Sequence, residues 1–161
     1  MSLIKTNAIE TLAGKPLVNS TGSVLQVVTA VQSSGVNNAT NTWTDTSLSA
    51  SITPSQTSSK ILVLVTHPAR VLRTISDNWL GGIKLLRGST VIGNGDNYTL
   101  GQSHPSQNPT SGGTYWWWTS HELDSPNTTS SVTYKTQSRA DGSGSVATYA
   151  GSRMTLIEIA G

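Results

Sequence analysis

Cysteine and phenylalanine are both missing from this chain of 161 residues. Without cysteine there is no disulfide framework, no thiolate metal ligand and no cysteine nucleophile, and the redox compartment stays open. Charge is scarce as well. Asp, Glu, Lys and Arg make up 11% of the residues, and the net charge is +2; a typical domain carries about 25%. The ten basic residues are spread along the chain, a poor footprint for a phosphate backbone, so nucleic acid is not an expected partner. Long apolar runs are absent too. The longest, Ile61 to Val65, is far short of the roughly 20 residues that a membrane-crossing helix needs, and no membrane insertion is expected. After its basic residue the opening Met1–Glu10 has no continuous apolar stretch, so no secretory signal is expected.

What is abundant is hydroxyl. Ser and Thr number 24 and 23, giving a neutral, hydrogen-bonding surface. Val, Leu and Ile total 35 residues, and five Trp and four Tyr must supply the large apolar pieces. Thr and Val with 15 Gly favour strands and turns, because β-branched side chains fit a pleated surface.

Residues 1–22 stand apart. Ile4, Ala8, Ile9, Leu12 and Ala13 have rough helical spacing, but Gly14, Pro16 and Gly22 break a helix early. They are expected to form a docking arm that lies on another chain. From Ser23 the pattern is strand, turn, strand. Strands are predicted at 23–32, 42–53, 60–66 (stopping at Pro68), 79–87, 90–92, 114–123, 131–138, 145–150 and 154–159. Arg87-Gly88-Ser89-Thr90 reads as a hairpin turn, Asp141-Gly142-Ser143-Gly144 as a tight turn, and residues 93–113 as a long polar loop. Arg70 and Arg73 fall in a solvated loop on this pattern, within reach of Asp77. Eight or nine short strands without a long helix imply an all-β protein, an antiparallel β-sandwich of the jelly-roll type over 23–161, preceded by the arm. No internal repeat argues for a solenoid or propeller.

The run Ile61-Leu62-Val63-Leu64-Val65 does not alternate, so both of its faces need cover. One face can fill the sandwich core. The other can be covered by the N-terminal arm or, at least as readily in a small domain, by a second subunit, which makes Ile61, Leu62, Leu64 and Val65 the candidate subunit interface.

Several segments resemble structural proteins of tailed phages, notably marine and cyanobacterial ones. They are Ser2 to Val28, Ser51-Ile52-Thr53-Pro54 through Ser59-Lys60-Ile61-Leu62-Val63, and Leu85-Leu86-Arg87-Gly88-Ser89. The series continues with Leu123-Asp124-Ser125-Pro126 through Tyr134-Lys135 and closes with Thr155-Leu156-Ile157-Glu158-Ile159. The strand order also resembles the trimeric tumour-necrosis-factor-like jelly roll. These resemblances imply a component of the virion: a fibre, fibre tip, knob or decoration on tail or capsid. They also imply a homotrimer, docked to other virion proteins through the arm.

The sequence offers little for catalysis. His67 and His104 each precede a proline, and His121-Glu122-Leu123-Asp124 places neighbours on opposite faces of a strand. No nucleophile elbow, metalloprotease motif or spaced metal-ligand set appears, so no enzyme, cofactor or metal is expected. Asn94-Gly95-Asp96-Asn97 lacks the second carboxylate of a calcium loop. The conspicuous motif is Tyr115-Trp116-Trp117-Trp118. In a chain without Phe these rings are expected in the core or the subunit contact. The alternative is a host surface glycan held between the uncharged loop and the indoles, with Asn97, Gln102, His104, Trp116 and Trp118 as its contacts.

Overall fold

The computed structural model describes residues 21–73, 81–93, 101–103, 113–140 and 144–161. They form eleven strands: β1 (Val24–Val31), β2 (Val36–Asn38), β3 (Thr44–Ile52), β4 (Lys60–Arg73), β5 (Gly81–Arg87), β6 (Thr90–Val91), β7 (Gly101–Ser103), β8 (Gly113–Asp124), β9 (Val132–Ala140), β10 (Gly144–Thr148) and β11 (Arg153–Ile159). One sheet runs β1-β11-β4-β10-β2, with β8 on the other side of β4; the second runs β3-β9-β5-β6, with β7 also on β5. All pairings are antiparallel. The two sheets pack into the expected β-sandwich.

Setting aside the short additions β2, β6 and β10, eight strands pair from the outside inward. β1 pairs β11, β3 pairs β9, β4 pairs β8 and β5 pairs β7. This nested winding is the jelly roll. It follows from the alternation of side chains along the strands. In β3, Thr46, Leu48, Ala50 and Ile52 are buried while the residues between them are exposed. The core joins these to Ile61, Val63, Val65, Val71, Ile83, Leu85, Trp118, Tyr134, Val146, Met154 and Leu156.

β4 departs from expectation. It does not stop at Pro68 but continues to Arg73, so Arg70 and Arg73 lie in a strand and not in the expected solvated loop. A proline inside a strand is tolerated where its missing N–H has no partner to lose. The Pro68 carbonyl accepts from the Tyr149 N–H at 3.3 Å, on the side where β10 ends opposite Ala69 and β11 begins opposite Thr66. The missing donor therefore faces the seam between two partner strands. β2 and β7 were also unforeseen. Gly101–Ser103 pair with β5, so the long loop over 93–113 is interrupted by a strand. The hairpin over Arg87–Thr90 forms as expected, with Gly88 at φ 58°.

Three polar ties hold the sandwich, one in its middle and two at one end. In the middle, His67 is fully buried and its Nε2 lies 2.8 Å from Thr136 Oγ1, which itself lies 2.5 Å from Thr46 Oγ1. A bulge delivers Thr46: residues 46–48 face one residue of β9, and Ser47 takes φ 68°. Burial pushes the His67 imidazole down to about 4, so it is neutral near pH 7. Near the N-terminal end of β4, the Tyr134 hydroxyl donates to Asp124 at 2.6 Å, and Arg87 donates to both oxygens of the same carboxylate at 2.8 and 2.9 Å. At that end too, the buried Glu158 carboxylate accepts from Gln26 Nε2 (2.6 Å), Ser59 Oγ (2.7 Å), and the Ser55 N–H (2.6 Å) and Oγ (3.2 Å). Burial pushes its pKa up, but these donors outweigh burial and hold it below the usual carboxylate range.

The two ends of the sandwich differ. Gly22 closes on Ala160 with its N–H donating to the carbonyl at 2.8 Å, so the chain enters at the Glu158 end. Residues 1–20 of the expected arm lie outside the described residues. At the opposite end, Gly113 faces Leu72 and Gly144 faces Arg73, while Ser103 and Ala140 both face Gly81.

Candidate functional site

The second end carries the aromatic run. β8 pairs with β4 so that Tyr115 faces Arg70, Trp116 faces Ala69, Trp117 faces Pro68 and Trp118 faces His67. Alternation sends Tyr115 and Trp117 to the outer side of the sheet, and Trp116 and Trp118 inward. The inward pair then diverges. Trp118 is 7% exposed and belongs to the core, whereas Trp116, nearer the strand's start, is 46% exposed. Trp118 is therefore not available to a ligand, and its expected role as a glycan contact is corrected: it fills volume that Phe supplies in other cores.

The outer pair is more exposed. Trp117 is 73% exposed and Tyr115 67%. Tyr115 stacks on Tyr149 of the segment after β10, with ring centroids 6.2 Å apart and planes at 23°. The Arg70 guanidinium lies over the Tyr115 ring at 5.5 Å, and its Nε is buried without a hydrogen-bond partner. Burial, reinforced by Tyr115, raises the Tyr149 phenol above its ordinary value. The result is an aromatic platform in which Arg70, Tyr115 and Tyr149 stack on one another, with Trp117 two residues further along the same face of β8. Flat, partly desolvated rings with a cation and phenols at their rim suit stacking against the C–H face of a sugar or against another protein's aliphatic side chains.

Of the other glycan contacts expected, Asn97 and His104 lie outside the described residues, and of Gln102 only the strand backbone is described. Asp141-Gly142-Ser143, Asp77 and the Asn94–Asn97 turn also lie outside them. Tyr149 and Arg70 were missed. Arg70 was hidden by the assumption that Pro68 ends its strand, and no signal in the sequence singles out Tyr149.

Lower on the same face, the four strands align an apolar row. Val27 faces Ile157, Ile157 faces Leu62, and Leu62 faces Leu123. Val27 and Leu123 are each 55% exposed, and Leu64, one step along β4, is 38% exposed. The doubly apolar run thus splits by face. Ile61 and Val65 are buried in the chain's own core, which removes them from the expected subunit interface; Leu62 and Leu64 stay on the outer side.

The two described histidines, His67 and His121, do not converge on a site. His67 is sealed in the core, and His121 is exposed beside Leu64 with Glu122 on the opposite face. Among the described residues no group of three or more His, Asp and Glu is placed to hold a metal ion.

No protein-family model matches this chain, and no curated protein matches it. Similar solved structures include two of infectious bursal disease virus. The Gx strain structure shares 15% identity over 84% of this chain at a TM-score of 0.40, and the Gt strain structure 16% over 96% at 0.43. The chain spans only 32% and 38% of the length of those two viral chains.

Proposed function

We propose that this chain is a non-enzymatic structural protein of a virion. In the finer form, it is a tail or capsid knob, fibre component or decoration of a tailed phage, assembled as a homotrimer. The single observation behind self-association is the apolar row Val27–Ile157–Leu62–Leu123 with Leu64 beside it. Such a patch on a domain of otherwise low charge has a reason to be covered. The virion assignment rests on the sequence resemblance. The separation of the ends fits it, because the chain enters at Gly22 and the aromatic platform lies at the other end. Ile61 and Arg70 lie nine steps apart along β4, roughly 30 Å at about 3.3 Å per residue. An arm at 1–22 would dock the domain to other virion proteins while the platform faces outward.

The test is mass in solution, before and after Leu64→Asp and Leu123→Asp. Both side chains are outward, so both variants should keep the β-rich circular dichroism spectrum. A trimer that becomes monomeric on substitution is expected; a wild-type monomer at micromolar concentration would falsify trimer assembly.

Host glycan contact is favoured by a separate observation, the exposure of Tyr115, Trp116 and Trp117 next to Arg70. Trp117→Ala and Tyr115→Ala should then lower adsorption of particles to host cells without changing the oligomer. Unchanged adsorption in both removes the glycan role.

A further inference from the structure

The outer face of the β3-β9-β5 sheet has no part in the role above. It carries a cleft of about 570 Å³ lined by Lys84, Leu86, Ser89, Thr133, Lys135 and Gln137, among others. Lys84 is 8% exposed, and its ammonium sits 4.3 Å from the centre of the Trp43 ring. The Arg139 guanidinium lies 6.0 Å from the same ring. Lys135 binds Asp45 at 3.1 Å, and Gln137 donates to the other oxygen of that carboxylate at 2.7 Å. Among the described residues, Lys84, Lys135 and Arg139 thus gather on this face around Trp43 and Asp45. The crowding is costly: burial, Arg139 and Lys135 all push the Lys84 ammonium below its ordinary pKa. A bound anion would relieve it.

The geometry points to a binding site for a carboxylate- or sulfate-bearing sugar on this face, distinct from the aromatic end. Lys84 and Lys135 would supply the charge for the acidic group. Ser89, Thr133 and Gln137 supply hydroxyl and amide partners for ring hydroxyls, and Leu86 offers an apolar floor. A cleft of this volume takes one or two sugar rings, since small-ligand pockets begin at about 300 Å³.

Calorimetric titration of the full chain tests the site, with four probes: a glucuronate disaccharide, galactose 6-sulfate, a neutral disaccharide and inorganic sulfate. The two acidic sugars should bind at least tenfold more tightly than the neutral one and than sulfate, and the affinity should fall as salt rises. Lys84→Gln and Lys135→Gln should each weaken binding about tenfold or more. Lys135 is partly exposed, so its variant keeps the test valid if Lys84→Gln fails to fold. Trp117→Ala should leave affinity unchanged. Equal binding of inorganic sulfate would reduce the cleft to a simple anion site and overturn the sugar. No binding of either acidic sugar, or loss of binding with Trp117→Ala, would also overturn it.

Discussion

The Tyr134 hydroxyl donates to the Asp124 carboxylate at 2.6 Å, joining the middle of one sheet to the edge strand of the other. Two segments far apart in the sequence meet there, because the same carboxylate takes the Arg87 guanidinium. Burial, then the bond to Asp124, raises the Tyr134 phenol well above its ordinary value, with Arg87 opposing. It therefore remains a donor at any ordinary pH. Tyr134→Phe removes one charge-assisted bond and leaves Arg87 in place. Chemical denaturation should show a loss of about 1.5–3 kcal/mol.

His67 makes stability depend on pH. Its folded pKa of about 4 lies below the unfolded value of 6.5, so between them the unfolded chain binds more protons. The stabilisation is complete above pH 6.5 and is lost as pH falls toward 4, with a full amplitude of about 3 kcal/mol. Denaturation midpoints measured across this window should fall for the wild type and stay flatter for His67→Gln.

Glu158 acts at lower pH. Its folded pKa is depressed, so its contribution is present above the unfolded carboxylate value and is lost as pH falls through the folded one. Glu158→Gln should cost about 2 kcal/mol or more at pH 7, because an amide cannot accept from all of Gln26, Ser55 and Ser59. Hydrogen exchange should quicken first at Ser55 and Ser59.

The aromatic run divides into structural and surface members. Trp118→Ala should cost about 3–5 kcal/mol as a core cavity. Trp117→Ala should change stability by less than about 1 kcal/mol. Thermal melts of the two variants side by side decide it; equal losses would put both rings in the core.

Alternation and turn residues made most of the sandwich legible. β3 could be read from Thr46 to Ile52, and the hairpin at Gly88 from Arg87-Gly88-Ser89-Thr90. The places that resisted are long-range. Pro68 reads as a stop because its neighbours in space, the end of β10 and the start of β11, lie about 80 residues later in the sequence. Trp116 and Trp118 share one face, as their spacing requires, yet only one is covered, and spacing does not say where along the strand the opposite sheet ends. Of the Ile61–Val65 run, the two-sided apolar character was visible; which members a single chain buries on its own depends on the inner face being 61, 63 and 65. The cleft on the second sheet was hidden altogether, because Trp43, Lys84 and Lys135 come from three separate strands or their approaches.

The position of β11 between β1 and β4 bears on how the protein is made. The first strand has no sheet to join until the last one arrives, and β4 waits for both β10 and β11. A chain emerging from its N-terminal side therefore exposes the apolar sides of β1 and β3 until β9 and β11 have been made. Such non-local pairing is slow, and the waiting strands are prone to capture by other copies.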